Sequence, residues 1–217
     1  MSPYPHPPKR ERRKEARPGE LLDAALTIFV DKGYAATRVE EVAALAGVSK
    51  GTLFLYFPSK EELFKAVVRE SIAGRFQEWN DELAQFEGDS AELLSRTLHS
   101  WWERIGMTAA SGITKLVLSE AGTFPEIAAF YQNEVITPGH DLLKRILQRG
   151  IDRGELRPLN LEYAVYSLMA PMIFLVTWKH SMAPCCPPSQ KIDPLGFIDS
   201  QLGLLLNGML ITPQSIR

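Results

Sequence analysis

Three side chains stand close together with the chemistry to meet a polyanion and to read polar edges. They are Lys50, Thr52 and Tyr56, which supply an ammonium, a hydroxyl and a phenol. Between them, Gly51 adds no bulk and lets a backbone approach closely. On a short helix, the spacing turns Lys50, Gly51, Thr52 and Tyr56 to one side and leaves Val48, Leu53 and Phe57 for the other. Such a face suits phosphates and base edges. No set suited to catalysis competes with it. There are no paired carboxylates, no nucleophile motif and no glycine-rich phosphate loop. Cys185 and Cys186 are adjacent, and His6, His99, His140 and His180 do not give them partners at ligand spacing, so neither a metal nor a cofactor is expected. A non-enzyme is the reading.

The elements that must hold this face follow from local signals. A helix from about Pro18 to Lys32 carries Leu22, Ala25, Leu26, Phe29 and Val30 on one side, and Gly33 supplies its left-handed end. Thr37-Arg38-Val39-Glu40 reads as a capping box opening a second helix, with Val39, Val42, Ala43 and Ala46 inward. Gly47 ends it. Ser49 caps a third helix that Pro58 stops near Phe57. Ser59-Lys60-Glu61-Glu62 is a second capping box, opening a long helix expected to reach about Trp79. Two short helices joined by Ala46-Gly47-Val48-Ser49 fit a helix-turn-helix, or simply a helical hairpin.

The run from Thr37 to Leu63, TRVEEVAALAGVSKGTLFLYFPSKEEL, resembles the DNA-binding signature of the tetracycline-repressor (TetR) family, and Ala24 to Tyr34 resembles that family's first helix. The resemblance implies double-stranded operator DNA as partner. It places Thr37 and Arg38 on the DNA backbone, Ser49, Lys50, Gly51, Thr52, Phe54, Leu55 and Tyr56 at the groove, and Lys60 on a phosphate. The family often carries Tyr where this chain has Phe54 and Leu55, so those hydroxyls are missing here. The stretches from Lys115 to Glu126 and from Gly154 to Pro158 resemble the family's regulatory domains. The implied behaviour is that of a homodimeric repressor whose operator affinity is lowered by a hydrophobic or amphipathic small molecule. A helical interaction module, or a regulator without a ligand, is the alternative.

Further helices are expected near 90–106, 111–121, 125–153, 161–180 and 194–210. Strand patterning is absent, so the fold class is all-α. The expected organisation is a disordered basic arm over 1–17, a helix-turn-helix DNA-binding domain over 18–63 and a larger helical ligand-binding and dimerisation domain over 64–217. Net charge is −2 over 217 residues, which announces no polyanion partner, but the arm sets six cations against two carboxylates. Trp101, Trp102, Met107, Phe130, Tyr131, Tyr166, Met169, Met172, Phe174 and Trp178 are candidate pocket walls, or ordinary core. His99 and Glu103 form an i, i+4 pair. Leu195, Ile198, Leu202, Leu205 and Met209 step by three and four, as a dimer seam or an internal stripe would. The uncharged run from Tyr163 to Trp178 is short for a membrane span and contains Pro171, which favours a buried helix. No secretory leader is read at the N-terminus, and a cytoplasmic location is expected.

Overall fold

The computed structural model describes residues 18–209. Eleven α-helices account for the architecture: α1 (Pro18–Ala36), α2 (Val39–Leu45), α3 (Lys50–Tyr56), α4 (Lys60–Ser71), α5 (Phe76–Gln85), α6 (Ser90–Trp101), α7 (Ser111–Glu120), α8 (Pro125–Tyr131), α9 (Thr137–Asp152), α10 (Leu161–Thr177) and α11 (Pro194–Met209). No extended strand occurs among the described residues. The all-α expectation holds. Two compact units divide inside α4, between Val67 and Val68.

The first unit closes around an aromatic cluster. Phe29 and Phe64 meet edge-on at 5.2 Å, and Tyr34 and Phe64 at 5.4 Å. Leu21, Ala25, Val42, Leu53 and Leu63 complete its core. The inward face of α1 is therefore centred on Leu21, Ala24, Ala25 and Phe29, one position from the expected stripe. Gly33 has φ 83° and ψ 171°, a backbone state essentially reserved for glycine. It redirects the chain so that the Tyr34 ring enters the core.

The second unit packs α6 against α9, and α10 against α7, α9 and α11. Polar ties fix its helix starts. The Asp89 carboxylate accepts from the Glu92 amide at 2.7 Å, and Asn160 accepts from the Tyr163 amide at 3.3 Å. Arg149 donates to Phe86 O, Gly88 O and Ser90 Oγ, tying α9 to the α5–α6 turn. Three π-helical turns interrupt the longer helices, at Trp102–Gly106, Gln132–Ile136 and Trp178–Met182. The second of these absorbs the Pro138-Gly139 region, because Pro138 then falls in the first turn of α9, where its missing N–H costs little.

Several expectations are corrected here. The fourth helix ends at Ser71, short of Trp79. Ile72 leaves helical geometry (φ −131°, ψ −62°) with its side chain buried, and a 3-10 turn over Ala73–Arg75 leads into α5. The α11 stripe faces inward: Ile198, Leu202 and Met209 are buried in their own protomer, Leu205 is half-buried, and Leu195 is exposed. It covers α6 and α10, so this seam is not a free surface. His99 does not pair with Glu103. Its Nε2 lies 2.9 Å from Asp199 Oδ1 on α11. The helix and turn from Leu161 to Cys185 are long and apolar enough to cross a membrane; Val165, Leu168, Met172, Leu175 and Val176 are buried within the unit, but only 33% of its apolar window is, and Tyr163, Tyr166 and Phe174 are exposed, so the expected buried helix is buried on one side only.

Candidate nucleic-acid interface and regulatory cavity

The turn between α2 and α3 is built by its backbone. Val48 N donates to Ala43 O at 2.9 Å and Gly47 N to Ala44 O at 3.1 Å, the paired bonds of a Schellman ending. Gly47 takes φ +73°, which a side chain rarely tolerates. Ser49 Oγ then accepts from the Thr52 amide at 3.1 Å and caps α3. Leu53 anchors α3 with no exposed surface. That anchor turns Lys50, Gly51, Phe54, Leu55 and Tyr56 to solvent, with Thr52 half-buried and its hydroxyl 2.9 Å from Ser49 Oγ. Leu55 is the most exposed of them at 86%.

A Cβ built on Gly51 meets only Ser49 Oγ, at an ordinary 3.8 Å. Nothing inside the unit requires glycine there. Lys50 Nζ sits 2.6 Å from Glu40 Oε1 and 5.5 Å from the Phe54 ring centre. The Lys50 hydrogen bond holds the Glu40 carboxyl below its ordinary range. Arg38 is exposed at the start of α2 and has no ion pair among the described residues.

Two expected phosphate ligands are placed otherwise. Thr37 is buried at 3% exposure, and its hydroxyl donates back to Gly33 O at 2.6 Å. The residue at the N-cap position is Arg38, without a side-chain cap, so the expected box does not form. The hydroxyl found a nearer acceptor in the carbonyl that the Gly33 bend exposes. Lys60 Nζ donates to Tyr34 O at 2.8 Å and to Ala35 O and Thr37 O at 3.3 Å, and lies 4.6 Å from the Tyr34 ring centre. All three ammonium hydrogens are thereby used on the α1–α2 bend. Of the second capping box, the Ser59 half is present: its Oγ accepts from the Glu62 amide at 3.1 Å.

The second unit contains a cavity of about 110 Å³ whose walls carry no charged side chain. Trp101, Met169 and Met172 line it as expected, together with Tyr131. Sequence reasoning missed Ile72, Phe76, Trp79 and Thr114. Their spacing is ordinary helix-core spacing, and no sequence signal separates a core wall from a cavity wall. The other expected walls lie elsewhere. Trp102 and Trp178 line a different, more open pocket with Met107, Lys179 and Lys191. Phe130 lies beneath the Arg69 guanidinium at 5.0 Å. Tyr166 and Phe174 are exposed at 59% and 43%, the first meeting His140 edge-on.

Tyr131 OH and Thr114 Oγ1 are 2.8 Å apart and both residues are buried. Burial, opposed by the Thr114 hydrogen bond, pushes the Tyr131 phenol up to about 12. Thr97, also in the wall, uses its hydroxyl on Leu93 O at 2.8 Å. One group looks superficially catalytic: Ser111 Oγ lies 2.8 Å from His180 Nε2 and 3.2 Å from Lys179 Nζ. Burial lowers both basic groups, with Lys179 and Lys115 lowering His180 further. Ser111 has no exposed surface, however, and the set also holds Gly106 O and Thr108 O, so it ties the wide turn after α6 to the end of α10.

Residues 21–67 match the family model "Bacterial regulatory proteins, tetR family", and residues 86–184 match "Tetracyclin repressor-like, C-terminal domain". The fatty acid metabolism regulator protein of Bacillus subtilis is 28% identical over 199 residues, 90% of this chain and 98% of that protein. The HTH-type transcriptional regulator RutR of Escherichia coli is 44% identical over 85 residues, 39% of this chain and 38% of its own. Among solved structures, the regulator FadR from Bacillus subtilis in complex with stearoyl-CoA superposes with a TM-score of 0.72 at 23% identity, covering 88% of this chain and 99% of that one. With both halves matched in chain order around an α2–turn–α3 pair and a charge-free cavity, the chain belongs to the tetR family of bacterial regulatory proteins, and it is a DNA-binding transcriptional regulator.

Proposed function

We propose that this regulator is a homodimeric repressor released from its operator by a long, apolar small molecule held in the charge-free cavity. The observation that carries the ligand half is the cavity itself. Its charge-free and largely apolar walls suit the body of a hydrophobic small molecule. The stearoyl-CoA bound by the Bacillus FadR makes a long-chain acyl thioester the first compound to test. The acyl chain occupies the cavity and the charged nucleotide stays outside it, since burying an unpaired anion costs far more than burying a methylene chain gains.

On the DNA side, α3 enters the major groove through Lys50, Gly51, Thr52 and Tyr56, and Phe54 and Leu55 contribute apolar contact. Arg38 contacts the phosphate backbone and Ser49 fixes the start of α3. The dimer forms through the outward faces of α10 and α11. Tyr163, Tyr166, Ala170 and Phe174 share one exposed side of α10; Ser200, Gly203, Leu204, Asn207 and Gly208 share one of α11. Two copies there give the two-fold symmetry that a palindromic operator needs, with half-sites about 34–36 Å apart.

The chain offers a covalent route for the signal. Ile72 follows α4 directly and is a wall of the cavity. A ligand that displaces Ile72 acts on the end of α4. Coupling of about 1–3 kcal/mol gives roughly 5–150-fold release, and operator DNA must weaken ligand binding by the same factor. Fluorescence anisotropy with DNA from upstream of the chain's own gene tests this. Stearoyl-CoA is expected to lower operator affinity, and stearoyl-CoA affinity is expected to fall when operator is present. Release that is not reciprocal, or none at all, refutes the acyl reading and leaves DNA binding untouched. The protein acts in the cytoplasm, where the chromosome lies.

A further inference from the structure

A buried hydroxyl pair with one proton to spare sits in the wall of an otherwise apolar chamber. Thr114 and Tyr131 carry two O–H hydrogens and share one hydrogen bond of 2.8 Å. Whichever donates, the hydrogen of the other has no acceptor among the described residues. Both side chains are at or below 5% exposure. An unmet buried donor carries a desolvation penalty, and native interiors leave few of them. Two other polar groups nearby are engaged: the Thr97 hydroxyl on Leu93 O and the Trp79 indole on Ser100 Oγ at 2.9 Å. The spare proton is thus a polar handle outside the existing hydrogen bonds of these groups.

The geometry points to a ligand whose apolar body carries a single neutral acceptor oxygen, a carbonyl, received by the Thr114–Tyr131 pair. This inference rests on the cavity being the ligand site and names what that site selects. A carboxylate fits poorly, because no lining residue is cationic and its charge would stay unpaired. An alkane leaves the donor unmet. A ketone, ester or thioester oxygen meets it without adding charge. With its phenol pushed up to about 12, Tyr131 stays protonated throughout the physiological range, so the handle is a permanent donor and the selectivity does not vary with pH there. The contributing elements are α7, which brings Thr114, and α8, which brings Tyr131 at its last turn.

The test uses the full-length protein and the double variant Thr114→Val, Tyr131→Phe. Removing both hydroxyls together leaves no orphan and preserves shape, so the fold is retained. N-Phenyl-1-naphthylamine, which has no oxygen, reports cavity occupancy by its fluorescence, and 2-tridecanone competes with it. The double variant is expected to bind the naphthylamine as the wild type does, and to need about tenfold more ketone for displacement. An unchanged ketone midpoint in the double variant overturns the inference. So does a ketone that fails to displace the probe from the wild type. Absence of naphthylamine binding to the wild type overturns the cavity as a ligand site and this inference with it. Should stearoyl-CoA leave operator affinity unaltered while the ketone midpoint shifts, the acyl-thioester reading falls and carbonyl selection stands.

Discussion

Replacing Lys60 with methionine keeps the length of the side chain and deletes its ammonium. The structure assigns that ammonium to three main-chain carbonyls of the α1–α2 bend and to the face of Tyr34. One of the three bonds, to Tyr34 O, is short; the other two are at 3.3 Å and weaker. A charge-assisted hydrogen bond contributes about 1.5–3 kcal/mol, but Ala35 is exposed and its carbonyl rehydrates once released. Counting the short bond, a fraction for each long one and the cation–π contact gives a loss of about 2 kcal/mol. The cost falls on the first unit, which is small. Thermal unfolding and the salt dependence of operator binding, measured on the same preparations, separate this role from a phosphate contact. The expected result is a clearly lowered melting temperature with the slope of log K against log salt unchanged. A slope reduced by about one unit with normal melting would show that Lys60 holds a phosphate in the complex and that its bonds to the bend are dispensable.

Other outcomes follow from the same structure. Gly51→Ala is expected to leave melting unimpaired, because the added Cβ finds ordinary space, and to weaken operator binding in an anisotropy titration; unaltered affinity would remove the close-approach argument for this glycine. Leu202→Glu places a carboxylate in the protomer core and is expected to unfold the second unit, whereas Leu204→Glu, on the exposed side of α11, is expected to give a folded monomer in sedimentation with normal circular dichroism. A folded dimer from Leu204→Glu would exclude that face as the interface.

The legible parts of the sequence are those governed by neighbours in the chain. Gly47, Ser49 and Pro58 fix the α2–turn–α3 segment through bonds spanning a few residues, and that segment was read directly. Positions decided by distant partners were not. Thr37 has the composition of a cap, but the Gly33 bend supplies a nearer carbonyl. Lys60 has the look of a phosphate ligand, yet its partners lie 23 to 26 residues earlier in the chain. The α11 stripe has the same spacing whether a second copy or α6 and α10 cover it. The break after Ser71 reflects the burial of Ile72 and the low helix propensity of Gly74 together, and only the second is visible in the sequence. Most of the cavity walls are not legible in the sequence, because aromatic and Met residues mark apolar surface without marking which side of a helix faces a void.

The three wide turns have an evolutionary consequence. A π turn is an α-helix that has accepted one additional residue without unwinding its ends. Two of these turns border the cavity: Ile105 lies within the first, and Val135 and Ile136 within the second. A single-codon insertion or deletion at either place is absorbed in the turn, so the side chains beyond it are spared the rotation of about 100° that an unabsorbed residue would impose. Relatives can therefore gain or lose a residue there with no loss of helix and with the wall residues beyond it kept in place. Pairwise alignments within the family are expected to carry one-residue gaps at these turns.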